Sequence, residues 1–173
     1  MMKKIHYIYM VLVAVALASC NDWLDVQPHS QIEDSELFSS ESGYKEALAG
    51  VYSSMVGTST YAKEMTFGFI GVLGQEWDYY SSAQYDAVAT YDYEAAYPTN
   101  YINAIWKNNY TGISNVNNLL AHIDGGASLF SEDNYEVIKG EALALRAMLH
   151  FDLLRCFGVS FAVNPDMPSI PYS

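Results

Sequence analysis

Aromatic and acidic side chains are concentrated between Trp77 and Tyr101. That stretch holds seven tyrosines, one tryptophan and four acids, and neither lysine nor arginine. Flat rings can bind the apolar C–H face of a sugar while carboxylates at the edge accept its hydroxyls. The residues that this pattern proposes for ligand binding are Trp77, Asp78, Tyr79, Tyr80 and Tyr85. The same rings could instead pack beneath the loop and over helices, and both interpretations stay open.

Patterns typical of catalysis are weak. Ser42-Gly43-Tyr44-Lys45 matches S-x-x-K, but Ser42 reads as a helix cap and the companion motifs are missing. Tyr135 and Lys139 have the spacing of some dehydrogenases without a dinucleotide loop. The histidines are scattered, with no H-E-x-x-H and no paired cysteines, so no metal site is indicated. The sequence therefore predicts a protein that is not an enzyme and needs no cofactor.

The N-terminus has the layout of a secretory signal. Lys3 and Lys4 precede an apolar run at 8–18, which is shorter than the roughly 20 residues that span a bilayer. Leu17-Ala18-Ser19-Cys20 resembles the bacterial lipobox, in which the cysteine becomes the first mature residue and carries acyl chains. We expect a lipoprotein signal peptide at 1–19, lipidation at Cys20 and a tether at 20–34. The alternative is a secreted protein with a free cysteine.

The mature chain is strongly acidic. Removing Lys3 and Lys4 from the eight basic residues leaves six, against 20 acidic ones. Such a surface repels nucleic acid and anionic lipid, so neither is expected as a ligand. The second cysteine, Cys156, lies in an apolar helical pattern, so a disulfide framework is not expected.

Hydrophobic periodicity predicts an all-α fold with four helices. They are expected at about 43–55, at about 61–73, from a Thr99 N-cap to near Gly125, and from Ser131 to Gly158. Asn109 and Asn117 fall on the apolar arc of the third helix, so we expect both to be buried and hydrogen-bonded. The fourth helix has two apolar flanks and needs partners on both. The chain ends without a closing element, so we expect 35–173 to be the N-terminal part of a longer helical domain.

Several segments together resemble the N-terminal region of SusD/RagB-type nutrient-binding outer-membrane lipoproteins. The segments that carry the resemblance span essentially the whole chain. They are Cys20-Asn21-Asp22-Trp23-Leu24-Asp25 with Pro28, Ala49-Gly50-Val51-Tyr52, then Trp106, Tyr110, Ile113, Asn117 and Leu120, then Ile138-Lys139-Gly140-Glu141-Ala142 and Leu145-Arg146-Ala147, and finally Phe151, Leu154, Arg155, Phe157 and Gly158.

The resemblance implies a scaffold of tetratricopeptide-like helix pairs. It also implies a lipid-anchored protein at the outer membrane, facing the cell exterior, that captures oligosaccharide or peptide for a SusC-like TonB-dependent transporter. Structural roles are expected for matched residues of the third and fourth helices, namely Trp106, Tyr110, Asn117, Lys139, Gly140, Glu141 and Arg146. The alternative is a surface lipoprotein that binds only protein or peptide.

Overall fold

The computed structural model describes residues 33–78 and 80–172. These residues form helices without any strand, which confirms the all-α prediction. The α-helices are α1 (Asp34–Leu37), α2 (Glu41–Met55), α3 (Phe69–Leu73), α4 (Asp86–Ala89), α5 (Ala96–Ile123) and α6 (Asn134–Phe157), and a short 3-10 helix at Ala127–Leu129 joins α5 to α6.

Helices α5 and α6 form an antiparallel pair. Lys139 near the start of α6 binds Asp124 just after α5, and Arg146 binds Asn117. Further along α6, the ring of Phe157 packs edge-on against Trp106, near the start of α5. From one contact to the next, the residue number rises along α6 and falls along α5. The two helices are therefore antiparallel, as in the helix hairpins that a short connection favours.

Helix α2 completes the main core. Tyr44, Leu48 and Val51 are buried against α5 and α6, and their spacing places them on one face of α2. The Tyr44 hydroxyl donates to the His122 carbonyl at 3.0 Å, so a buried phenol keeps a partner. The buried residues that α5 and α6 add to this core are Val116, Leu119, Ile123, Ile138, Ala142 and Leu145.

A helix predicted at 61–73 is wrong for most of its length, because only Phe69–Leu73 is helical. Between Gly57 and Gly68 the chain makes irregular turns, in which the Glu64 amide donates to the Thr58 carbonyl and the Met65 amide to the Thr60 carbonyl. The Thr60 hydroxyl donates to the Met55 carbonyl at the end of α2 and holds the first turn in place. Side-chain bonds of this kind outweigh the weak helical period of the segment.

Two predicted helix starts are also wrong. Helix α5 begins at Ala96, and Thr99 lies in its first turn with its hydroxyl bonded to the Tyr93 carbonyl. Pro98 fits this first turn because amides there have no partner within the helix. Helix α6 begins at Asn134, and the amide and hydroxyl of Ser131 donate to Glu41 instead of capping the helix. Helix α6 does end at Gly158, as predicted.

The asparagine prediction is confirmed for Asn109, whereas Asn117 is hydrogen-bonded but not fully buried. Asn109 is 1% exposed, and its amide donates to the Ile105 carbonyl of its own helix rather than to a neighbouring helix. Asn117 is half-buried and accepts from Arg146 of α6 at 3.2 Å. The Asn109 amide nitrogen and the Asn117 oxygen therefore have partners, which lowers the cost of placing an amide in a helix interface, whereas the buried Asn109 Oδ1 accepts from no described group.

Helix α6 leaves one apolar flank uncovered within the described residues. Leu145, Leu149 and Leu153 are buried on the opposite flank, in the core that α2 and α5 help to form. The exposed flank carries Val137, Met148, Phe151 and Leu154. The sequence pattern predicted two apolar flanks, and the described residues cover only one of them. No described helix is long and apolar enough to cross a membrane.

Glu41 joins the start of α2 to the segment before α6. Its carboxylate accepts from Lys45, from the amide and hydroxyl of Ser131 and from Asn134. These hydrogen bonds, the one from Lys45 first, lower the pKa of Glu41 from 4.5 to about 2.

We expect Glu41 to stabilise the fold above pH 4.5, and this contribution to be lost as the pH falls towards 2, because a depressed pKa favours the charged folded state. The Glu41→Gln variant should therefore be less stable than wild type at pH 7, and the difference should shrink on acidification. Urea unfolding of both proteins between pH 7 and pH 2.5 measures the difference. A constant difference across this range would contradict the assignment.

Candidate functional site

A buried carboxylate holds together the loops around α3. Glu64 is 4% exposed, and its carboxylate accepts from the Phe69 amide at 2.8 Å and from the Tyr85 hydroxyl at 3.0 Å. Lys63 pairs with the same carboxylate at 3.1 Å. A buried charge is tolerated only with such partners. Glu64 therefore fixes the start of α3 and the segment before α4 relative to each other.

Ionisation of the neighbouring groups reflects this network. The Tyr85 hydroxyl and then the Glu64 carboxylate raise the pKa of Lys63, which stays a cation. Tyr101 stacks on Tyr85 with ring centroids 5.8 Å apart. Burial, followed by the charge of Glu64, raises the pKa of Tyr101 to about 12. The Tyr101 phenol thus remains neutral, and the Tyr85 hydroxyl is already hydrogen-bonded within the protein.

The end of α3 returns the chain over the helix. Gln75 adopts a left-handed backbone with φ of 53°, and its amide donates to the Val72 carbonyl. The Glu76 amide donates to the Gly71 carbonyl at 3.0 Å. This pair of bonds is the Schellman arrangement that ends many helices. It brings Trp77 back against α3.

Trp77 is held in place while half of its surface stays open. Its indole nitrogen donates to the Phe67 carbonyl at 3.1 Å, and the side chain is 50% exposed. The ring lies so close to Gly71 that a Cβ there would be 2.7 Å from the indole nitrogen and 2.9 Å from Cζ2. Only glycine at 71 permits this approach. The result is a fixed aromatic platform on the protein surface.

Other exposed rings lie in the same part of the chain. The Tyr91 hydroxyl donates to the Leu73 carbonyl at the end of α3, and Tyr97 stacks on Tyr101 in the first turns of α5. Tyr80 is 96% exposed. We call the exposed rings of this region the aromatic surface, which consists of Phe67, Trp77, Tyr80, Tyr91, Tyr93 and Tyr97.

The predicted ligand residues divide into two groups. Trp77, Asp78 and Tyr80 are exposed and free to meet a ligand, whereas Tyr85 is half-buried and supports the loop through Glu64. Tyr79 lies outside the described residues. The sequence pattern did not single out Tyr91, Tyr93 and Tyr97, although all belong to the tyrosine-rich stretch. It also missed Phe67, an isolated aromatic between Thr66 and Gly68 that gave no signal in the sequence.

A cavity of about 490 Å³ opens beside Tyr93. Its walls come from α3, the start of α5 and the end of α6, and most of them are apolar. The lining residues are Phe69, Ile70, Leu73, Gly74, Tyr93, Ile102, Ile105, Arg155, Cys156 and Phe157. The volume falls within the range of small-molecule sites, so the aromatic surface borders a concave region.

The predicted structural residues connect helices rather than form a site. Glu141 accepts from Tyr52 of α2 at 2.5 Å, while Lys139 and Arg146 connect α6 to α5. Trp106 and Tyr110 pack in the cluster that holds α5 against α6 and the C-terminal tail, where the Tyr110 hydroxyl donates to the Pro171 carbonyl. Gly140 faces open space, because a Cβ there would meet nothing within 4 Å.

In 33–78 and 80–172, no three histidine, cysteine or acidic side chains lie close enough together to hold a metal ion. The expected lipidation residue Cys20, the expected signal peptide at 1–19 and nearly all of the expected tether lie outside the described residues. The exposed rings and carboxylates of the aromatic surface can stack on a ligand and form hydrogen bonds with it.

Comparison with known protein families shows which family this chain belongs to. Residues 22–173 match the SusD-like_3 family, described as "starch-binding associating with outer membrane". The chain belongs to the SusD-like family. No curated protein and no solved structure gives a significant match. This SusD-like chain therefore belongs to a family of glycan-binding proteins of the outer membrane, and that family is one of binding proteins rather than enzymes. Its all-helical fold agrees with that membership.

Proposed function

We propose that this SusD-like protein captures oligosaccharides on its aromatic surface and passes them to a SusC-like TonB-dependent transporter in the outer membrane. The observation that carries the proposal is Trp77, which is held by Gly71 and the Phe67 carbonyl and leaves half of its surface open. A ring that is already fixed loses little conformational freedom when a ligand stacks on it.

The groups around Trp77 suit a sugar. Its open indole surface can cover the C–H face of a pyranose ring, and the exposed carboxylates of Glu76 and Asp78 can accept hydroxyl groups at the edge. Tyr80 can add a second ring and a phenol. Tyr85 has a supporting role, because its hydroxyl donates to Glu64 and holds the loop in place.

The expected anchor supports a role beside a membrane transporter. In this proposal, 1–19 are a signal peptide, Cys20 carries the acyl chains, 20–34 form a tether and 35–173 form the N-terminal helical domain. Two or more buried acyl chains hold a protein at a membrane far more firmly than one. The anchored protein would face the cell exterior, where polysaccharide is met.

The exposed flank of α6 supports a second candidate, a surface subunit that binds only protein or peptide. Met148, Phe151 and Leu154 leave an apolar strip uncovered by the described residues, and Phe151 is 58% exposed. Strips of this kind mark protein contacts. The two candidates differ in glycan affinity, because a capture protein binds both a glycan and a transporter.

Affinity electrophoresis of the full-length protein through gels containing amylopectin, mannan or xylan tests the proposal. We expect one of these polymers to retard the wild type, and the Trp77→Ala and Tyr80→Ala variants to lose most of the retardation because the stacking surface is gone. Phe161→Ala, which removes an exposed ring from the tail, is the control and should behave as wild type. Co-purification with a transporter in the absence of any retardation would favour the protein-binding candidate.

A further inference from the structure

The aromatic surface lies in a stretch of chain that contains no cationic side chain. From Met65 to Trp106 there is neither lysine nor arginine, yet the stretch contains five acids. Four of these, Glu76, Asp78, Asp92 and Glu94, are exposed and alternate along the chain with the exposed rings. The side chains of Glu76, Asp78 and Glu94 make no hydrogen bond or ion pair with any described residue, so their charge is not neutralised locally.

Two cations near this stretch are already paired. Lys63 binds the Glu64 carboxylate and lies 5.3 Å from the centre of the Tyr85 ring. Arg155 lines the cavity beside Tyr93 and donates to Asp152. Both therefore sit beside a carboxylate, and neither gives the aromatic surface a net positive charge. Lys107, the residue that follows the stretch, is exposed on α5 and does not line the cavity beside Tyr93.

We infer that the aromatic surface selects uncharged glycans and excludes acidic ones, with Glu76, Asp78 and Glu94 as the residues that determine this specificity. The inference rests on the proposed glycan capture at the same surface. A neutral sugar can stack on Trp77 and donate its hydroxyls to the three carboxylates. A uronate or a sulfate would bring a second negative charge to the same carboxylates, and residues 65–106 offer no guanidinium or ammonium group to pair with it.

Salt separates this repulsion from a steric cause. The screening length is roughly 20 Å at 20 mM salt and roughly 4 Å at 500 mM, so repulsion between exposed charges is felt only at the lower concentration. Stacking of a neutral sugar is insensitive to this change.

The test compares each neutral polymer, amylopectin, mannan and xylan, with its carboxymethylated derivative in affinity gels of the full-length protein at both salt concentrations. We expect the neutral polymer to bind equally at 20 and 500 mM salt. The carboxymethylated polymer should bind at least about tenfold more weakly at 20 mM and recover most of its affinity at 500 mM.

A matched pair of variants identifies the groups responsible. The triple variant Glu76→Gln, Asp78→Asn, Glu94→Gln should narrow the gap between neutral and carboxymethylated polymer at 20 mM salt at least about fivefold relative to wild type, because it removes the repulsion. The control Glu132→Gln, Asp133→Asn, Glu136→Gln removes the same charge at the start of α6. Those positions lie roughly 30 Å along the helix from Phe157 at the cavity, and the control should match wild type.

Two results would overturn the inference. Equal binding of the neutral and carboxymethylated polymers at 20 mM salt would show that the surface does not select by charge, and the proposed capture function would survive. Equal gains in the two triple variants would assign the effect to the net charge of the protein rather than to this surface. Failure of every polymer to bind at either salt concentration would instead remove the proposed function, and the inference with it.

Discussion

The Gly71→Ala variant is expected to lose glycan binding while keeping a folded, stable chain. The added methyl group would lie 2.7 Å from the Trp77 indole nitrogen, closer than real side chains approach, so the ring must leave its position. Alanine is favoured over glycine within a helix by up to about 1 kcal/mol, which offsets the loss of the hydrogen bond to the Phe67 carbonyl. The affinity for the polymer that retards the wild type should fall at least about tenfold, which corresponds to about 1.4 kcal/mol of binding free energy.

The matched control for this substitution is Gly50→Ala. Gly50 lies within α2, and a Cβ there would meet nothing within 4 Å. The variant should gain about 0.5–1 kcal/mol in free energy of unfolding and bind as wild type does. Urea unfolding and affinity electrophoresis measure both quantities on the same samples. Wild-type binding by Gly71→Ala, with a tryptophan emission spectrum that shows the Trp77 ring displaced, would show that the fixed position of Trp77 is not required.

The Glu64→Ala variant is expected to show the largest loss of stability among exchanges near the aromatic surface. It leaves the Phe69 amide and the Tyr85 hydroxyl without their acceptor and Lys63 without its counter-ion. The expected loss in free energy of unfolding is about 3 kcal/mol. Glycan binding should weaken as well, because α3 carries Gly71 beneath Trp77 and its first amide is held by Glu64.

Two further variants provide reference values for the loss of stability in Glu64→Ala. Glu64→Gln keeps one carbonyl acceptor and should lose less stability than Glu64→Ala. Glu46→Ala removes an exposed carboxylate of α2 that accepts from Ser42, and its effect should stay within about 0.5 kcal/mol. Equal stability of Glu64→Ala and Glu46→Ala in urea unfolding would contradict the role of Glu64 as the group that holds these loops together.

Long periodic segments were predictable from the sequence, and short irregular ones were not. Helices α2, α5 and α6 follow from apolar spacing, and the uncovered flank of α6 follows from its two apolar faces. The start of α6 was misplaced because Ser131 donates to Glu41, which lies 90 residues away in the chain. The turns at 57–68 escaped prediction because a buried Glu64 and the Thr60 hydroxyl set their path. Such partners come from tertiary structure and leave no period in the sequence.

The candidate site was predictable in composition but not in geometry. The excess of rings and acids pointed to Trp77, Asp78 and Tyr80, all of which are exposed. Nothing in the sequence distinguished the half-buried Tyr85 from these exposed residues, because its hydrogen-bond partner Glu64 lies 21 residues away in the chain. Glycines recur three residues apart at 68, 71 and 74. The structure gives Gly71 a specific role, as the place where the Trp77 ring lies against α3.

We expect the glycan to bind directly on Trp77. Fluorescence titration of the full-length protein with the neutral polymer that retards it in gels tests this most directly, with Trp77→Phe titrated in parallel. Trp23 is replaced by phenylalanine in both proteins, so that Trp106 is the other tryptophan of residues 1–173. We expect a saturable change in tryptophan emission when Trp77 is present. We expect no change for Trp77→Phe, because Trp106 is packed between Tyr110 and Phe157 and reports little from the surface. A saturable change of equal size in Trp77→Phe would show that the glycan does not bind on Trp77.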